Sequence, residues 1–346
     1  MLTIAGRQIG PDHPPFVIAE VAQSHEGSLG NAFAFAEVAR DCGADAIKFQ
    51  THIAREESTP SEPWRVPFSR QDVSRYDYWQ RMEFTFPQWA ALKQHCDDLG
   101  IIFLSSPFSV LACDWLEELG MPAWKVASGE IHNAQILERM QASDKPILVS
   151  TGLAAPDQAL ALVRNLSQAG KQVGLFHCTT QYPTSPEQVG LNVLSDYIEA
   201  LPGIPVGLSD HSGTPTPAVV ASYLGASLIE VHLTLHPQAF GPDVGSSLTP
   251  DGLRALVEGT RAAWAMRRNP VDKAGQLAGM ANMQTTFGRS LFTQCEIQQG
   301  AIVTREMIGY KKPAGGMRYE ELSDLIGRPA ARALPRDHML GPHDVR

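Results

Sequence analysis

The sequence predicts an α/β fold, a closed parallel (β/α)8 barrel (TIM barrel) followed by a smaller C-terminal domain. Eight short apolar runs are spaced along about the first 235 residues, and most are followed by a turn and a stretch with helical periodicity. Each run also ends in residues that can take part in chemistry. Because the carboxyl ends of barrel strands meet on one face, this pattern indicates an enzyme.

The predicted strands share an apolar body and a polar end. They are Phe16–Glu20, Ala46–Gln50, Ile101–Ser105, Trp124–Ser128, Ile147–Thr151, Val173–Cys178, Pro205–Asp210 and Leu228–His232. Intervening segments with helical spacing are Gly30–Cys42, Pro87–Leu99, Val110–Leu119, Pro156–Ala169, Val189–Ala200, Pro217–Leu224 and Pro250–Met266. A long insertion, Thr51–Phe86, is rich in proline and aromatic residues, and we expect it to form an ordered wall of the pocket.

The 346 residues suggest about two domains, and a barrel of roughly 250 residues leaves a small second one. The helical periodicity fails after Met266, where a polar segment begins. The last piece alternates short strand-like segments, SLFT and AIVT, with turns, and it is too small to be robust alone. We predict a barrel over 1–270, a linker over 271–286 and a small domain over 287–346.

Charge, hydropathy and cysteine content together argue against several classes of protein. A net charge of −9 without a basic run argues against a nucleic-acid surface. The N-terminus lacks the apolar stretch of a signal peptide, and no run approaches the ~20 residues of a membrane span. The five cysteines are odd in number and lack CxxC spacing, as expected of free thiols in a reducing compartment. We therefore expect a cytoplasmic protein.

Two histidines stand at neighbouring strand ends, His211 in GLSDHS and His232 in EVHLT. Adjacent strands lie about 5 Å apart, so both imidazoles could bind one divalent ion and leave coordination sites open for catalysis. Asp210, Glu230 and Glu20 lie nearby in this arrangement. The alternative is that each histidine only makes hydrogen bonds within the barrel mouth.

Two lysines alternate with apolar neighbours, Lys48 in AIKFQ and Lys125 in WKVAS, so both should point into the barrel. A buried lysine must be paired or neutral. One interpretation is an ion pair with Glu20 or Glu130. Another is an anion cradle, and a third, disfavoured by the metal site, is a Schiff-base lysine. The cradle would add the hydroxyls of Ser128, Ser150, Thr151 and Ser209 and the backbone amides around Gly129 and Gly152.

The chain resembles the sialic acid synthase family, which makes nine-carbon nonulosonic acids. The motifs that carry the resemblance are AEVAQSHEG, GADAIKFQTH, SSPFS, WKVASGE, STG, HCTTQYPT, GLSDHS and EVHLT. The tail, from GRSLFTQC to KKPAGGM, resembles the antifreeze-like (SAF) domain that closes these proteins. The resemblance thus spans nearly the whole chain and implies a TIM barrel followed by a SAF domain.

The resemblance implies a condensation of phosphoenolpyruvate with the open-chain aldehyde of an N-acyl hexosamine, with release of phosphate. It places Mn²⁺ or Mg²⁺ on His211 and His232, and it assigns Glu20 to the sugar or to delivery of water. By the same motifs the phosphoenolpyruvate ligands are Lys48, Lys125, Ser128, Ser150 and Ser209. The residues implied to line the sugar site are Gln50, Glu130, Tyr182 and Asp243. A domain-swapped homodimer is also implied.

Three positions depart from the family pattern. Thr180 replaces an asparagine that contacts phosphate, and Val244 replaces a polar residue near the sugar. In the tail, Lys312–Pro313 replaces an arginine–proline pair whose arginine reaches a neighbouring subunit's active site. Lysine lacks the bidentate fork of arginine, so Lys312 would meet the sugar differently. These departures bear on which sugar is used.

Other functions fit the same residues. The sugar acid could be of the legionaminic or pseudaminic type, and the enzyme could instead be another 3-deoxy-2-keto sugar acid synthase or a metal-dependent aldolase. A non-catalytic sugar-binding scaffold would be a different class. The presence of Glu20, Lys48, Lys125, His211 and His232 together argues against a scaffold.

Overall fold

The computed structural model describes residues 2–346, which form two compact units. The first unit extends to Asn269 and the second comprises Pro270–Arg346. Within residues 2–346, no helix combines the length and apolar character needed to cross a bilayer.

The first unit contains a nearly closed barrel of eight parallel strands. These strands are β3 (Phe16–Ala22), β4 (Ala46–Thr51), β5 (Ile102–Pro107), β6 (Trp124–Val126), β7 (Ile147–Ser150), β8 (Val173–Cys178), β9 (Val206–Asp210) and β10 (Leu228–Leu233). Hydrogen bonds join them in the order β5-β4-β3-β10-β9-β8-β7-β6, and the end strands β5 and β6 lie side by side. The predicted barrel is confirmed, and every predicted strand overlaps an observed one.

The helices of the first unit surround this sheet. They are α1 (Leu29–Asp41), α2 (Ala54–Glu57), α3 (Arg75–Met82), α4 (Phe86–Leu99), α5 (Val110–Glu118), α6 (Ala134–Gln141), α7 (Pro156–Gln168), α8 (Leu191–Ala200), α9 (Thr216–Leu224) and α10 (Pro250–Arg268). Local sequence sets several starts: the Ser28 hydroxyl accepts from the Asn31 amide, and Pro156 and Pro250 stand in the first turns of α7 and α10. Helix α6 and the short helices α2 and α3 in the insertion were not predicted.

An N-terminal hairpin packs at the end of the barrel opposite the catalytic face. Its strands are β1 (Leu2–Ile4) and β2 (Arg7–Ile9), paired antiparallel. Leu2 is fully buried and lies near Gly174 on β8, where a Cβ would approach Leu2, Leu148 and Leu228 within 2.8–3.2 Å. The absence of a side chain at Gly174 therefore makes room for the hairpin, which leaves the opposite end as the open one.

The second unit has a hydrophobic core of its own. It contains α11 (Lys273–Ala278), α12 (Ala281–Phe287), β12 (Ser290–Thr293) and β13 (Ile308–Lys311), with β12 and β13 antiparallel. Leu291, Val303, Leu325 and Leu334 are buried in its core. The strand prediction for SLFT is confirmed.

One prediction for this part of the chain was wrong. AIVT forms no strand, since only Ile302 makes an isolated bridge, with Pro329. The segment 271–286, predicted as a linker, contains α11 and most of α12. These helices have only 6 and 7 residues, which is too short for a helical period to be recognised in the sequence. Asp272 still caps α11 by accepting from the Ala274 amide.

Candidate active site

A cavity of about 550 Å³ opens at the carboxyl ends of the barrel strands. All predicted site residues of the first unit line it: Glu20, Lys48, Gln50, Lys125, Ser128, Glu130, Ser150, Thr180, Tyr182, Ser209, His211, His232 and Asp243. Seven of the eight barrel strands, or the turns directly after them, contribute these groups. Lys312 belongs to the second unit, where its ammonium lies 5.0 Å from the centre of the Phe287 ring.

The two lysines lie at the floor of this cavity and are paired with carboxylates. Lys48 forms an ion pair with Glu20 and lies 3.8 Å from Glu230, while Lys125 lies 3.4 Å from Glu230. Lys125 also donates to the Ser150 hydroxyl at 2.6 Å. The ion-pair interpretation is therefore correct for Glu20. Sequence analysis missed Glu230 as the acid between both ammonium groups, although its position inside β10 next to His232 could have indicated it.

The two lysines have opposite pKa shifts. Burial lowers the pKa of Lys125, and the carboxylate of Glu230 only partly offsets that burial. Burial also acts on Lys48, but the charges of Glu20 and Glu230 outweigh it and raise the pKa of Lys48. The two ammonium groups also repel each other. Two cations held this close together form a local positive potential suited to an anion.

Side-chain hydroxyls and the backbone of a glycine complete the floor of the cavity. The Gly152 amide donates to the Ser128 hydroxyl at 3.1 Å, and the Ser209 hydroxyl donates to Glu230 at 3.2 Å. A Cβ at Gly152 would collide with the Thr180 hydroxyl and lie 2.8 Å from that of Ser128. This arrangement of hydroxyls against a glycine has the mixture of donors that an anionic ligand needs.

The two predicted metal ligands lie together at the side of the cavity. The rings of His211 and His232 have centroids 5.2 Å apart, and Tyr182 stacks 4.1 Å from His211. The Nδ1 of His211 donates to the Thr179 carbonyl at 2.9 Å, which leaves Nε2 with a free lone pair. Burial, and then the charge of His232, lowers the pKa of His211 to about 3, so the ring is neutral.

These residues fit a divalent metal with two imidazole ligands. The Nδ1 of His232 is buried and has no hydrogen-bond partner among residues 2–346. An imidazole nitrogen that is buried without a hydrogen-bond partner is available to bind a metal ion. The same part of the chain brings no group of three His, Cys, Asp or Glu side chains to one metal-binding position, so the remaining ligands would be substrate or water.

The insertion forms one wall of the cavity, as predicted, and brings in an arginine that sequence analysis missed. Arg65 binds Asp243 at 2.5 Å, and its guanidinium lies 4.4 Å from the centre of the Tyr182 ring. Phe68 of the insertion packs against Phe240, with centroids 5.5 Å apart. Arg65 thereby orients two predicted sugar-site residues from outside the barrel motifs.

Glu130 is not paired with a lysine. Its carboxylate accepts from the Asn133 amide at 2.7 Å, since both belong to the turn after β6. The alternative ion pair between a buried lysine and Glu130 is therefore wrong. Burial raises the pKa of Glu130, and the hydrogen bond from Asn133 only partly opposes that effect.

Comparisons with known proteins agree with this geometry. The model of the NeuB family matches residues 35–272. The chain is 30% identical to human N-acetylneuraminate-9-phosphate synthase, covering 96% of this chain and 93% of that protein. It is 31% identical to N,N'-diacetyllegionaminic acid synthase of Campylobacter jejuni, covering 94% and 98%.

A solved structure shares the fold. The N-acetylneuraminic acid (sialic acid) synthetase of Leptospira borgpetersenii, crystallised with citrate, superposes with a TM-score of 0.71 at 26% identity. The match covers 81% of this chain and 96% of that one. With barrel, strand-end residues and relatives in agreement, the chain belongs to the NeuB family and is a biosynthetic enzyme of the sialic acid synthase type.

Proposed function

We propose that this enzyme condenses phosphoenolpyruvate with the open-chain form of an N-acyl hexosamine, such as N-acetylmannosamine. The products would be a nine-carbon 2-keto-3-deoxy sugar acid and phosphate. The observation that carries this proposal is that one cavity has two different parts, with paired ammonium groups at its floor and two imidazoles at its side. An anion and an aldehyde would each find suitable groups there.

Phosphoenolpyruvate would occupy the floor. Lys48 and Lys125 would bind its negative charge, together with the hydroxyls of Ser128, Ser150 and Ser209. Thr180 supports this placement, because its hydroxyl lies against Gly152 on the same side of the cavity. Such charge-assisted hydrogen bonds are about twice as strong as neutral ones and would hold the vinyl carbon in one orientation.

The sugar would lie above that floor. Gln50, Glu130, Tyr182 and Asp243 would bind its hydroxyls and acyl group, and Glu20 would assist addition of water to the phosphate-bearing carbon next to the vinyl carbon. In the bond changes, the vinyl carbon joins the aldehyde carbon, water adds to the neighbouring carbon, and phosphate leaves. A bound Mn²⁺ or Mg²⁺ would supply Lewis-acid polarisation of the aldehyde. His211 and His232 would hold that ion.

The proposal extends to the tail. Residues 287–346 would form a SAF domain, and Lys312 would reach the sugar site of a partner in a domain-swapped homodimer. The substrates are small polar metabolites, which fits a cytoplasmic enzyme. The roles of Lys312 and of the dimer rest on the family resemblance, and a separate experiment below tests them.

Phosphate release provides the direct test. Purified protein is mixed with phosphoenolpyruvate and a panel of acylated hexosamines, and phosphate is measured with and without Mn²⁺. Release that requires both a sugar and phosphoenolpyruvate supports the proposal. Condensation with pyruvate instead of phosphoenolpyruvate would indicate an aldolase. Turnover of diacetylated 6-deoxy sugars only would make the product legionaminic or pseudaminic in type.

Metal removal should abolish turnover and Mn²⁺ should restore it. His211→Ala and His232→Ala should each lose most activity while keeping the fold, because each would remove one of two protein ligands. Circular dichroism and thermal unfolding check the fold, and His236→Ala outside the cavity is the matched control. Full activity in a sample shown to be free of metal would contradict the metal assignment.

A further inference from the structure

One buried histidine of the cavity has no role in the proposed reaction. His52 follows β4 directly, and its imidazole is stacked between Trp79 at 4.0 Å and Phe108 at 4.2 Å. Its side chain is only 5% exposed. A ring held between two aromatic faces cannot tilt or turn freely, so the directions of its two nitrogens are fixed.

The two nitrogens reach different partners. Nδ1 lies 2.7 Å from Oε1 of Glu57, and Nε2 lies 3.1 Å from Oε1 of Gln50. On its other side, the Gln50 amide donates from Nε2 to Oε1 of Glu20 at 2.8 Å. One hydrogen-bonded row thus runs from the insertion to the cavity floor and consists of Glu57, His52, Gln50 and Glu20.

Hydrogen-bond directions in this row are determined by Glu20. Its side chain is ion-paired with the Lys48 ammonium, and the oxygens of a carboxylate in such a pair accept hydrogen bonds. The amide of Gln50 must therefore present NH2 to Glu20 and its carbonyl oxygen to His52. A second donor, the amide of Gln23 at 3.4 Å, approaches the same carbonyl oxygen. Consequently the Nε2 of His52 must carry a proton and donate it.

The other nitrogen then shares a second proton with Glu57. A proton must lie between Nδ1 and the Glu57 carboxylate, whichever atom holds it more tightly. The pair is either imidazolium with carboxylate or neutral imidazole with carboxylic acid. In both forms Nε2 remains a donor, so the orientation of Gln50 is the same.

We propose that His52 is a positioning residue of the sugar site, fixed by Glu57, Trp79 and Phe108, which orients the Gln50 amide. This inference rests on the proposed function, because Gln50 and Glu20 are there assigned to the sugar. If Nε2 lost its proton, Gln50 would turn its carbonyl oxygen towards the carboxylate of Glu20. The sugar site would then lose the orientation of the Gln50 amide and the hydrogen bond that aligns the Glu20 carboxylate.

Nuclear magnetic resonance tests the protonation without any substrate. In ¹⁵N-histidine-labelled protein near neutral pH, long-range proton–nitrogen correlations report each ring nitrogen, and the His52→Phe spectrum assigns the signals. We expect Nε2 of His52 to be protonated in the wild type. In Glu57→Gln, the new amide can donate to Nδ1, so only Nε2 should keep its proton. An unprotonated Nε2 in the wild type overturns the proposal, whatever the enzyme's activity.

Kinetics with a sugar that the wild type turns over provides the second test. His52→Phe keeps the stacked ring but removes both nitrogens, and we expect KM for the sugar to rise about tenfold. KM for phosphoenolpyruvate should change by less than about twofold, because the row reaches only one of its ligands, Lys48, and Gln50 and Glu20 stand between that ammonium and His52. Equal rises in both constants, or an unchanged sugar constant, would overturn the positioning role.

Three further variants separate positioning from stability. His52→Gln places an amide NH2 near the former Nε2 and should recover part of the sugar affinity. Glu57→Gln should stay within about threefold of the wild-type sugar constant, because the Nε2 donor remains. His95→Phe is the matched control, since that imidazole also meets a carboxylate, Glu37 at 3.3 Å, and stacks on Phe33, but lies outside the cavity. A His52→Gln variant as impaired as His52→Phe would contradict the donor role.

Discussion

The ammonium group of Lys125 is buried, and burial disfavours its charged form. Its side chain is 2% exposed, and its nearest charged partner, Glu230, also serves Lys48. Burial lowers the pKa of Lys125, and Glu230 offsets that effect only in part, whereas the charges of both lysines lower the pKa of Glu230. An incoming anion would give the buried Lys125 ammonium a partner that it does not share with Lys48, so the floor is suited to bind negative charge.

Lys125→Met should therefore weaken phosphoenolpyruvate binding far more than sugar binding. A hydrogen bond to a charged group contributes about 1.5–3 kcal/mol, so KM for phosphoenolpyruvate should rise about tenfold to hundredfold. Steady-state kinetics with each substrate varied in turn gives both constants. Lys145→Met is the control, because that ammonium pairs with Glu117 outside the cavity. If only the sugar constant rose, the lysine would belong to the sugar site.

A buried neutral histidine makes stability depend on pH. Burial, and then the charge of His52, lowers the pKa of His25 from 6.5 to about 3. Between these values the unfolded chain binds a proton that the folded protein does not, so the free energy of unfolding falls as pH decreases below 6.5.

His25→Gln should remove this contribution. From about pH 7 to about pH 5, the wild type should lose about 2 kcal/mol more than the variant, as measured by urea unfolding. His132→Gln is the control, because His132 is exposed. An equal loss in the wild type and in His25→Gln would show that His25 is not held neutral.

The turn that follows each barrel strand determines which hydrogen-bond donors that strand contributes to the cavity. The turn after β7 presents a backbone amide and no side chain at Gly152, while the turn after β6 presents Ser128 and Glu130. The hydroxyls of Ser128 and Thr180 occupy the space that a side chain at 152 would need. The turn after β7 therefore requires glycine at position 152 because there is no space for a side chain, and its backbone angles do not impose this requirement.

Gly152→Ala should displace those hydroxyls and raise KM for phosphoenolpyruvate about tenfold or more. Gly129→Ala is a close control in the neighbouring turn, because a Cβ there meets no atom within 4 Å. Thermal unfolding of both variants separates a local effect from a loss of stability. Similar constants for the two variants would contradict the cradle.

On the scale of the whole molecule, the chain comprises two units with separate hydrophobic cores. The barrel holds every predicted site residue except Lys312. The exposed helices α11 and α12 begin the second unit, and their surfaces include Leu277, Met283 and Phe287. A shared active site between two chains would give the second unit a function beyond its own stability.

Mixing two inactive variants tests that arrangement. One carries His211→Ala, and the other is truncated after Thr286. In a swapped heterodimer, the tail of the full-length chain would complete the intact barrel of the truncated chain, and phosphate release should recover in part. Size-exclusion chromatography confirms that mixed dimers form, and each variant alone is the control. Mixed dimers without activity would rule out a shared site in this form.

The sequence by itself determined the barrel and most of its active site. Strand and helix periodicity is a local property, and in a parallel barrel every strand end faces the same side. Residues at strand ends, such as Lys48, Lys125 and His232, could therefore be assigned to one cavity without knowledge of any contact. The motif resemblance then added roles to positions already placed.

Only the tertiary structure decided which of these groups pair. Glu230 lies between two lysines because β4, β6 and β10 direct these three side chains into the same part of the barrel interior, and no spacing along the chain encodes those distances. Arg65 and Glu57 come from an irregular insertion, whose path depends on aromatic packing and has no periodicity. The helices α11 and α12 were not predicted because each is shorter than the window in which a helical period can be read. Local sequence patterns thus determine the helices and strands and which of their ends are polar. Which polar side chains pair depends on distances that exist only in the folded chain.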